Sequence, residues 1–285
     1  MAWAEAAWRR DPVHAGAPVN PRIIAILADY HVHTSWSDGA GTAEELIARA
    51  ADIGLPEVGL ADHLVPYDPD DDYGIPHHRL GDYAAAVREA AAAQGRVRVL
   101  AGVEVDYAPQ TWDQMVGLVA RHSFDYVIGS VHAVDGKAID YIEETVLLNW
   151  PDEDDLYSRY YRAVAEMAAA GVIDIAGHLD LPKKFGRRPG PAVRGAEDAA
   201  LDAVAAAGVL VEINTSGLRF TSDEPFPSAD LLARAHDRGI GITFGSDAHD
   251  PSEVAAGFAA GLALARSAGY STYVRLSDRA EVPLP

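Results

Sequence analysis

Seven times along this chain a short apolar run ends on an imidazole, a carboxylate or an amide, and seven times an alanine-rich helical stretch follows. The strand-like runs are 23–33, 57–63, 97–107, 125–132, 173–179, 209–214 and 241–249. The helical patterns are 42–53, 82–93, 112–122, 152–170, 194–207, 228–238 and 252–268. Thr42 and Glu45 have capping-box spacing, and Gly54, Gly171, Gly208 and Gly239 stand where helices should stop. Alternating units with mostly continuous apolar strands indicate a parallel sheet covered on both faces. Such a sheet is either open or closed into a barrel. An open sheet gathers its chemistry at one switch point, whereas a barrel gathers it at the C-terminal ends of many strands. Here all seven runs contribute: His31 and His33, His63, Glu104, His132, His178, Glu212 and Asn214, then Asp247 and His249. The expected fold is therefore α/β, a distorted seven-stranded (β/α)7 TIM-like barrel over 23–285. Residues 1–22 are expected to form an irregular N-terminal extension, and 65–79 a long loop over the barrel mouth.

These residue types suit metal ions. Side chains two apart on a strand point the same way, so His31 and His33 can converge on one cation. Asp38 follows on a glycine-punctuated turn, and His63, Glu104, His132, His178, Asp247 and His249 each close a later strand. Six of the eleven histidines fall at strand ends, while His14, His77, His78, His122 and His236 fall in loops or helices. Isolated histidines are usually satisfied core or surface residues, but that explanation would have to recur independently on five strands. The chain has no cysteine, so thiolate ligation and disulfides are excluded. Imidazole with carboxylate suits zinc, manganese or iron rather than an all-oxygen calcium site. Nine candidate ligands exceed what one ion can use, so two or three divalent transition-metal ions are expected.

The ordered set His-x-His…Ser-Asp-Gly, Ala-Asp-His, Gly-Val-Glu, Ser-Val-His, Gly-His and Gly-Ser-Asp-Ala-His resembles the polymerase-and-histidinol-phosphatase (PHP) superfamily of metallophosphoesterases, over roughly 29–258. The stretches 124–132, 177–186 and 212–219, with 225–228, are most similar to its histidinol-phosphatase branch. The resemblance implies a distorted seven-stranded β/α barrel. It implies that His31, His33, Glu104 and Asp247 hold a first ion, with Glu104 bridging to a second completed by His132 and His178. Asp38, His63 and His249 would hold a third. Many members of the branch have a histidine in the turn where this sequence has Asp38, although aspartate occurs there in other branches.

The implied reaction is hydrolysis of a phosphomonoester, L-histidinol phosphate to L-histidinol and phosphate, by a hydroxide bridging two ions. Glu104, Asp247 and His249 are the expected catalytic residues. Arg219 and Lys183, just beyond the sixth and fifth strands, are candidate phosphate contacts, and Asn214 is a candidate for substrate or for orienting a ligand. Three other readings compete. A phosphoesterase of different specificity, acting on a nucleotide, a sugar phosphate or a phosphodiester, would have the same metal site. A metal-dependent amidohydrolase commonly bridges its ions with a lysine on a middle strand, and no predicted strand end here carries one. A non-catalytic module should have lost ligands, yet all nine candidates are present. The net charge of −20 argues against a nucleic-acid partner but not against a small phosphorylated substrate, because bound cations reverse the field locally. No apolar run approaches the roughly 18 residues of a membrane span, and the first ten residues carry Glu5, Arg9 and Arg10. An unexported, cytoplasmic protein is expected.

Overall fold

The computed structural model describes residues 24–66, 73–141 and 143–285. The expected extension over 1–22 and the centre of the 65–79 loop lie outside them. The chain forms a curled parallel sheet flanked by helices. In chain order the elements are α1 (Ala43–Ile53), β1 (Glu57–Leu60), β2 (His63–Leu64), α2 (Leu80–Ala92), β3 (Arg98–Asp106), α3 (Trp112–Val119), β4 (Tyr126–Ser130), β5 (Ala133–Val134), β6 (Lys137–Ala138) and α4 (Glu143–Asn149). Then follow α5 (Glu153–Ala169), β7 (Ile175–Ala176), α6 (Arg194–Ala207), β8 (Leu210–Asn214), α7 (Ala229–Asp237), β9 (Ile242–Gly245), α8 (Phe258–Ser267), β10 (Thr272–Arg275) and β11 (Ala280–Pro283). The main sheet runs β1-β3-β4-β7-β8-β9, with β2 also paired to β3. Every pairing in it is parallel. The strands β3, β4, β8 and β9 are buried almost throughout because helices or the sheet interior cover both faces.

The first strand-like run differs from expectation. Residues 24–28 are not strand, and pairing is confined to isolated bridges at Asp29 with Val58 and Val32 with Ala248. Its backbone nevertheless reaches both edges of the sheet. Asp29 N donates to Glu57 O (3.3 Å) and Gly59 N to Asp29 O (2.8 Å) on one side. On the other, Tyr30 N donates to Phe244 O (3.0 Å) and His33 N to Ala248 O (2.8 Å). His31 and His33 are thus fixed between two strands although their segment is not a regular one.

Where β1 gives way to β2, Tyr83 of α2 supplies what the ladder lacks. Its Oη accepts from Asp62 N (3.2 Å) and lies 3.0 Å from the carbonyls of Leu60 and Gly102. The break lets Asp62 and His63 serve different neighbours. Helix starts are encoded locally. Thr42 and Glu45 form a reciprocal capping box on α1, and the Asp152 carboxylate accepts from Asp154 N and Asp155 N at the start of α5. Each helix then buries its apolar face, as α1 does with Leu46, Ile47 and Ala50.

Below the site, the interior is filled by Tyr126, whose Oη donates to Tyr30 O (2.7 Å). The ring fits only because two neighbouring strands carry glycine: a Cβ at Gly59 would stand 2.1 Å from Tyr126 Oη, and one at Gly102 2.2 Å from its Cζ. The β10–β11 hairpin, not expected from sequence, closes this end. Leu276 N donates to Tyr30 Oη, which donates in turn to Glu57 Oε1. Among the described residues, no helix is long and apolar enough to cross a membrane.

The packing yields a test. Gly102→Ala forces a methyl against a buried ring that cannot withdraw. It should lower the unfolding free energy by about 1–3 kcal/mol in urea titrations at unchanged m-value. A midpoint equal to the parent's would show that the interior is looser than described.

Candidate metal centre

The structure brings all nine expected ligands, His31, His33, Asp38, His63, Glu104, His132, His178, Asp247 and His249, to the C-terminal ends of the strands. All but Asp38 are buried. Glu104, near the end of strand β3, is their common neighbour. Its Oε2 lies 3.2 Å from His31 Nε2, 3.6 Å from His33 Nε2 and 2.8 Å from His63 Nδ1. Its Oε1 lies 3.1 Å from His178 Nε2 and 3.7 Å from His132 Nε2. One carboxylate with each oxygen facing a different set of imidazoles has the geometry of a bridge.

Four groups have ligand atoms within 4.8 Å of one another: His31, His33 and Asp247; His31, Glu104 and His178; His63, Glu104 and His132; and His33, Asp38, His63 and His249. They overlap more than the expected partition. His33 also belongs with Asp38, His63 and His249, and His132 and His178 approach each other at 3.2 Å between their Nε2 atoms.

Several imidazoles are oriented by the nitrogen they turn away from the cluster. His31 Nδ1 is 2.7 Å from Glu212 Oε1, and His132 Nδ1 is 2.7 Å from Asp106 Oδ1. His249 Nδ1 is 3.0 Å from the Asp247 carbonyl. This leaves Nε2 of each facing the carboxylates, the arrangement in which an outer partner fixes a metal-binding imidazole. The Glu212 carboxylate also accepts from His178 N (2.9 Å) and Asn214 Nδ2 (3.1 Å). A Cβ on Gly245 would stand 2.0 Å from Glu212 Oε1, so the strand beside it must be bare. Ser130 Oγ donates to Glu104, and Asp62 accepts from Thr34 N, Thr34 Oγ1 and Ser37 Oγ, holding the turn that presents Asp38.

Protein atoms alone leave this cluster unsatisfied. His31 Nε2, both nitrogens of His33, both oxygens of Asp38, His63 Nδ1, Glu104 Oε2 and His178 Nδ1 are buried without a hydrogen bond of acceptable geometry. Native proteins pair nearly all such atoms, so their concentration here fits cations as the missing partners. Electrostatics agree. Burial alone would raise the Glu104 carboxyl, but the imidazoles of His31, His63 and His132 outweigh it and hold it well below the usual range. Burial lowers His63 and His132, yet Glu104 with Asp38, and Asp106 with Glu104, push them up to about 9 and about 10. Burial and the neighbouring His249 and His63 push His33 down to about 3, which keeps both its nitrogens free of a second proton.

The expected substrate contacts do not line the cleft that reaches these ligands. Arg219 donates from Nη1 to Ser246 O (3.1 Å) and from Nη2 to Asp247 O (2.7 Å). It thus braces Asp247, which adopts a left-handed φ of 53°. Glu253, 4.0 Å from Arg219 Nε, accepts from His249 N. Lys183 is buried, bonded to Pro225 O (2.8 Å) and 3.0 Å from both Asp180 and Glu224. Asn214 Nδ2 donates to Glu212 (3.1 Å) and to the candidate ligand Asp247 (3.2 Å). The cleft is lined instead by Tyr73, Asp140, Leu181, Lys184, Ser216 and Phe220, together with His63, Glu104, His132, His178, Asp247 and His249. Sequence reasoning passed over the first six. Asp106 was also passed over, although it lies two residues beyond Glu104 on one strand and so on the same side.

A buried set of imidazoles and carboxylates able to hold several cations, at the C-terminal edge of a curled parallel sheet, defines a metal-dependent α/β protein. The PHP domain family model matches residues 29–216, and the chain belongs to that family. It is 37% identical over 251 residues to the "Probable histidinol-phosphatase" of Deinococcus radiodurans, covering 86% of this chain and 95% of that one. It is 28% identical over 179 residues to the "Histidinol-phosphatase" of Bacillus subtilis, covering 56% and 67%. The crystal structure of histidinol phosphate phosphatase from Lactococcus lactis, complexed with zinc, L-histidinol and phosphate, superposes with a TM-score of 0.73 at 22% identity, over 86% of this chain and 94% of that one.

Two outcomes test the centre. Gently purified protein should contain two or three transition-metal ions per chain by elemental analysis, and Glu104→Gln, which removes the bridging charge, should lose at least one; full retention would refute the bridge. Metal-free His63 and His132 hold protons up to about pH 9 and about 10, and a cation must displace them. Calorimetry in buffers of different ionisation enthalpy should therefore show proton release at neutral pH, with apparent affinity rising towards pH 9. Proton uptake would contradict this.

Proposed function

We propose that the chain is a metal-dependent phosphomonoester hydrolase that converts L-histidinol phosphate and water to L-histidinol and phosphate. The observation that carries this reading is the cluster of unsatisfied imidazole and carboxylate atoms around Glu104, in a PHP-family chain 37% identical to a named histidinol-phosphatase over nearly its whole length. We read 23–285 as one catalytic domain whose seven strand positions close into a barrel. The supporting observation is that 29–33 bonds to β1 on one side and to the β9 segment on the other. A cytoplasmic location suits a cysteine-free chain acting on a small phosphorylated metabolite.

In this reading Glu104 would be shared between cations, and His31, His33, Asp38, His63, His132, His178, Asp247 and His249 would supply the remaining ligands. Bound there, zinc, manganese or iron would neutralise phosphate oxygens and lower the pKa of a coordinated water. The chain supplies the rest. Glu212, Asp106, Asn214 and Ser216 hold the ligands in register; Ser216 Oγ lies 3.0 Å from Asp247 Oδ2. Tyr73 stacks on His63 with ring centroids 4.5 Å apart and shields that ligand from water. Lys184, not Lys183, is the lysine that lines the cleft, with its ammonium held by Asp140. Arg219 acts chiefly through the backbone of Ser246 and Asp247.

A phosphate-release screen with manganese, zinc and iron supplied separately should give L-histidinol phosphate the highest kcat/KM of any phosphomonoester. A nucleotide or sugar phosphate that exceeded it about tenfold would transfer the assignment to another phosphoesterase activity. Arg219→Ala should lower kcat/KM by about 2–4 kcal/mol in transition-state terms, and because Asp247 loses its brace, metal content should fall with it. Unchanged metal content with the same kinetic loss would return Arg219 to direct phosphate recognition.

A further inference from the structure

The cleft is lined by two chemically different sets of residues. One is made of ligand residues; the other is made of Tyr73, Asp140, Leu181, Lys184, Ser216 and Phe220. Among the described residues, Asp140 is the only lining carboxylate outside the candidate ligand groups. It reaches this position because the β5–β6 hairpin turns the chain back immediately after His132. Ile139 N donates to the His132 carbonyl at 3.0 Å, which sets the next residue, Asp140, beside a candidate ligand. Lys184 braces it. Its Nζ donates to the Asp140 carbonyl (2.7 Å), stands 3.5 Å from Oδ2 and lies 4.5 Å above the Phe220 ring. The Asp140 side chain keeps 18% of its surface exposed.

A carboxylate here is a poor neighbour for a plain phosphate ester, because it repels the dianion that the cations attract. Its presence becomes favourable when the substrate carries an ammonium a few bonds from the phosphate. We propose that Asp140 receives the ammonium group of an amino-alcohol phosphate, selecting phosphomonoesters that carry both charges over esters of the same shape without the amine. Tyr73 and Phe220 supply aromatic surface for the remainder of the substrate. This rests on the phosphatase reading above but adds to it: the metal centre takes the phosphate, and a separate carboxylate discriminates among what is attached.

The test compares the metal-loaded parent with Asp140→Asn on L-histidinol phosphate and on its deaminated analogue, 3-(imidazol-4-yl)propyl phosphate. The parent should prefer the amine-bearing ester by at least about tenfold in kcat/KM, expressed mainly in KM. In Asp140→Asn that preference should shrink to within about threefold, because the loss falls on the aminated substrate alone. Asp140→Glu should recover part of it, and metal content and the thermal midpoint should match the parent in both variants. An equal loss on both esters, or a preference that survives Asp140→Asn, would overturn the assignment. If the parent hydrolyses phenyl phosphate but neither imidazole ester, the histidinol reading fails by itself. O-phosphoethanolamine against ethyl phosphate then tests the ammonium site, and a ratio unaltered by Asp140→Asn would refute it.

Discussion

The contact between one buried carboxylate and five imidazoles organises this molecule. Glu104 sits on the longest strand of the sheet and is wholly removed from solvent. Its two oxygens divide His31, His33 and His63 from His132 and His178. A carboxylate so placed is tolerable only if positive charge surrounds it. Everything else at the mouth of the sheet can be understood as supplying and aiming that charge. The parallel strands bring the imidazoles to one end, and the outer carboxylates Glu212 and Asp106 turn individual rings towards the centre.

The framework around the candidate ligands is almost as specific as the candidates themselves. Glu212 serves His31 through one oxygen and the His178 backbone and Asn214 through the other. Asp29, at the opposite margin, accepts from the backbone and hydroxyl of Ser246 and from Ala255 N, and so ties the loop carrying Asp247 and His249 to the first segment. Burial outweighs those bonds and raises the Asp29 carboxyl to about 6. The loops at the mouth are therefore held by side-chain to backbone bonds rather than by sheet ladder.

The parts legible in the sequence were those governed by short-range periodicity. The two-residue repeat of His31 and His33, the capping box at Thr42 and the polar residue after each apolar run all survive in the structure because each depends on neighbours close in the chain. The parts that were not legible depend on how loops fold over the mouth. Lys183 and Lys184 are adjacent and chemically identical, but the short 3-10 turn of Leu181–Phe185 sends the first to Asp180 and Glu224 and the second to Asp140 at the cleft. Arg219 lies at the right end of the right strand, yet its guanidinium turns to backbone carbonyls, which no residue pattern announces. The β5–β6 hairpin holds two residues per strand, too few for a periodic signal, and it returns the chain so that Asp140 lines the cleft.

Tyr126 and the two glycines beneath its ring have a further consequence. Positions 59, 102 and 126 come from three different strands, yet they share one volume. A side chain can be gained at either glycine only after the tyrosine has been replaced by something smaller, and a smaller residue at 126 leaves a hole until the glycines are filled. The order of substitutions is thereby constrained, and each intermediate is less stable than either end state. Homologues should accordingly fall into two discrete packing types at these positions, with few chains between them, while the residues of the mouth diversify independently above.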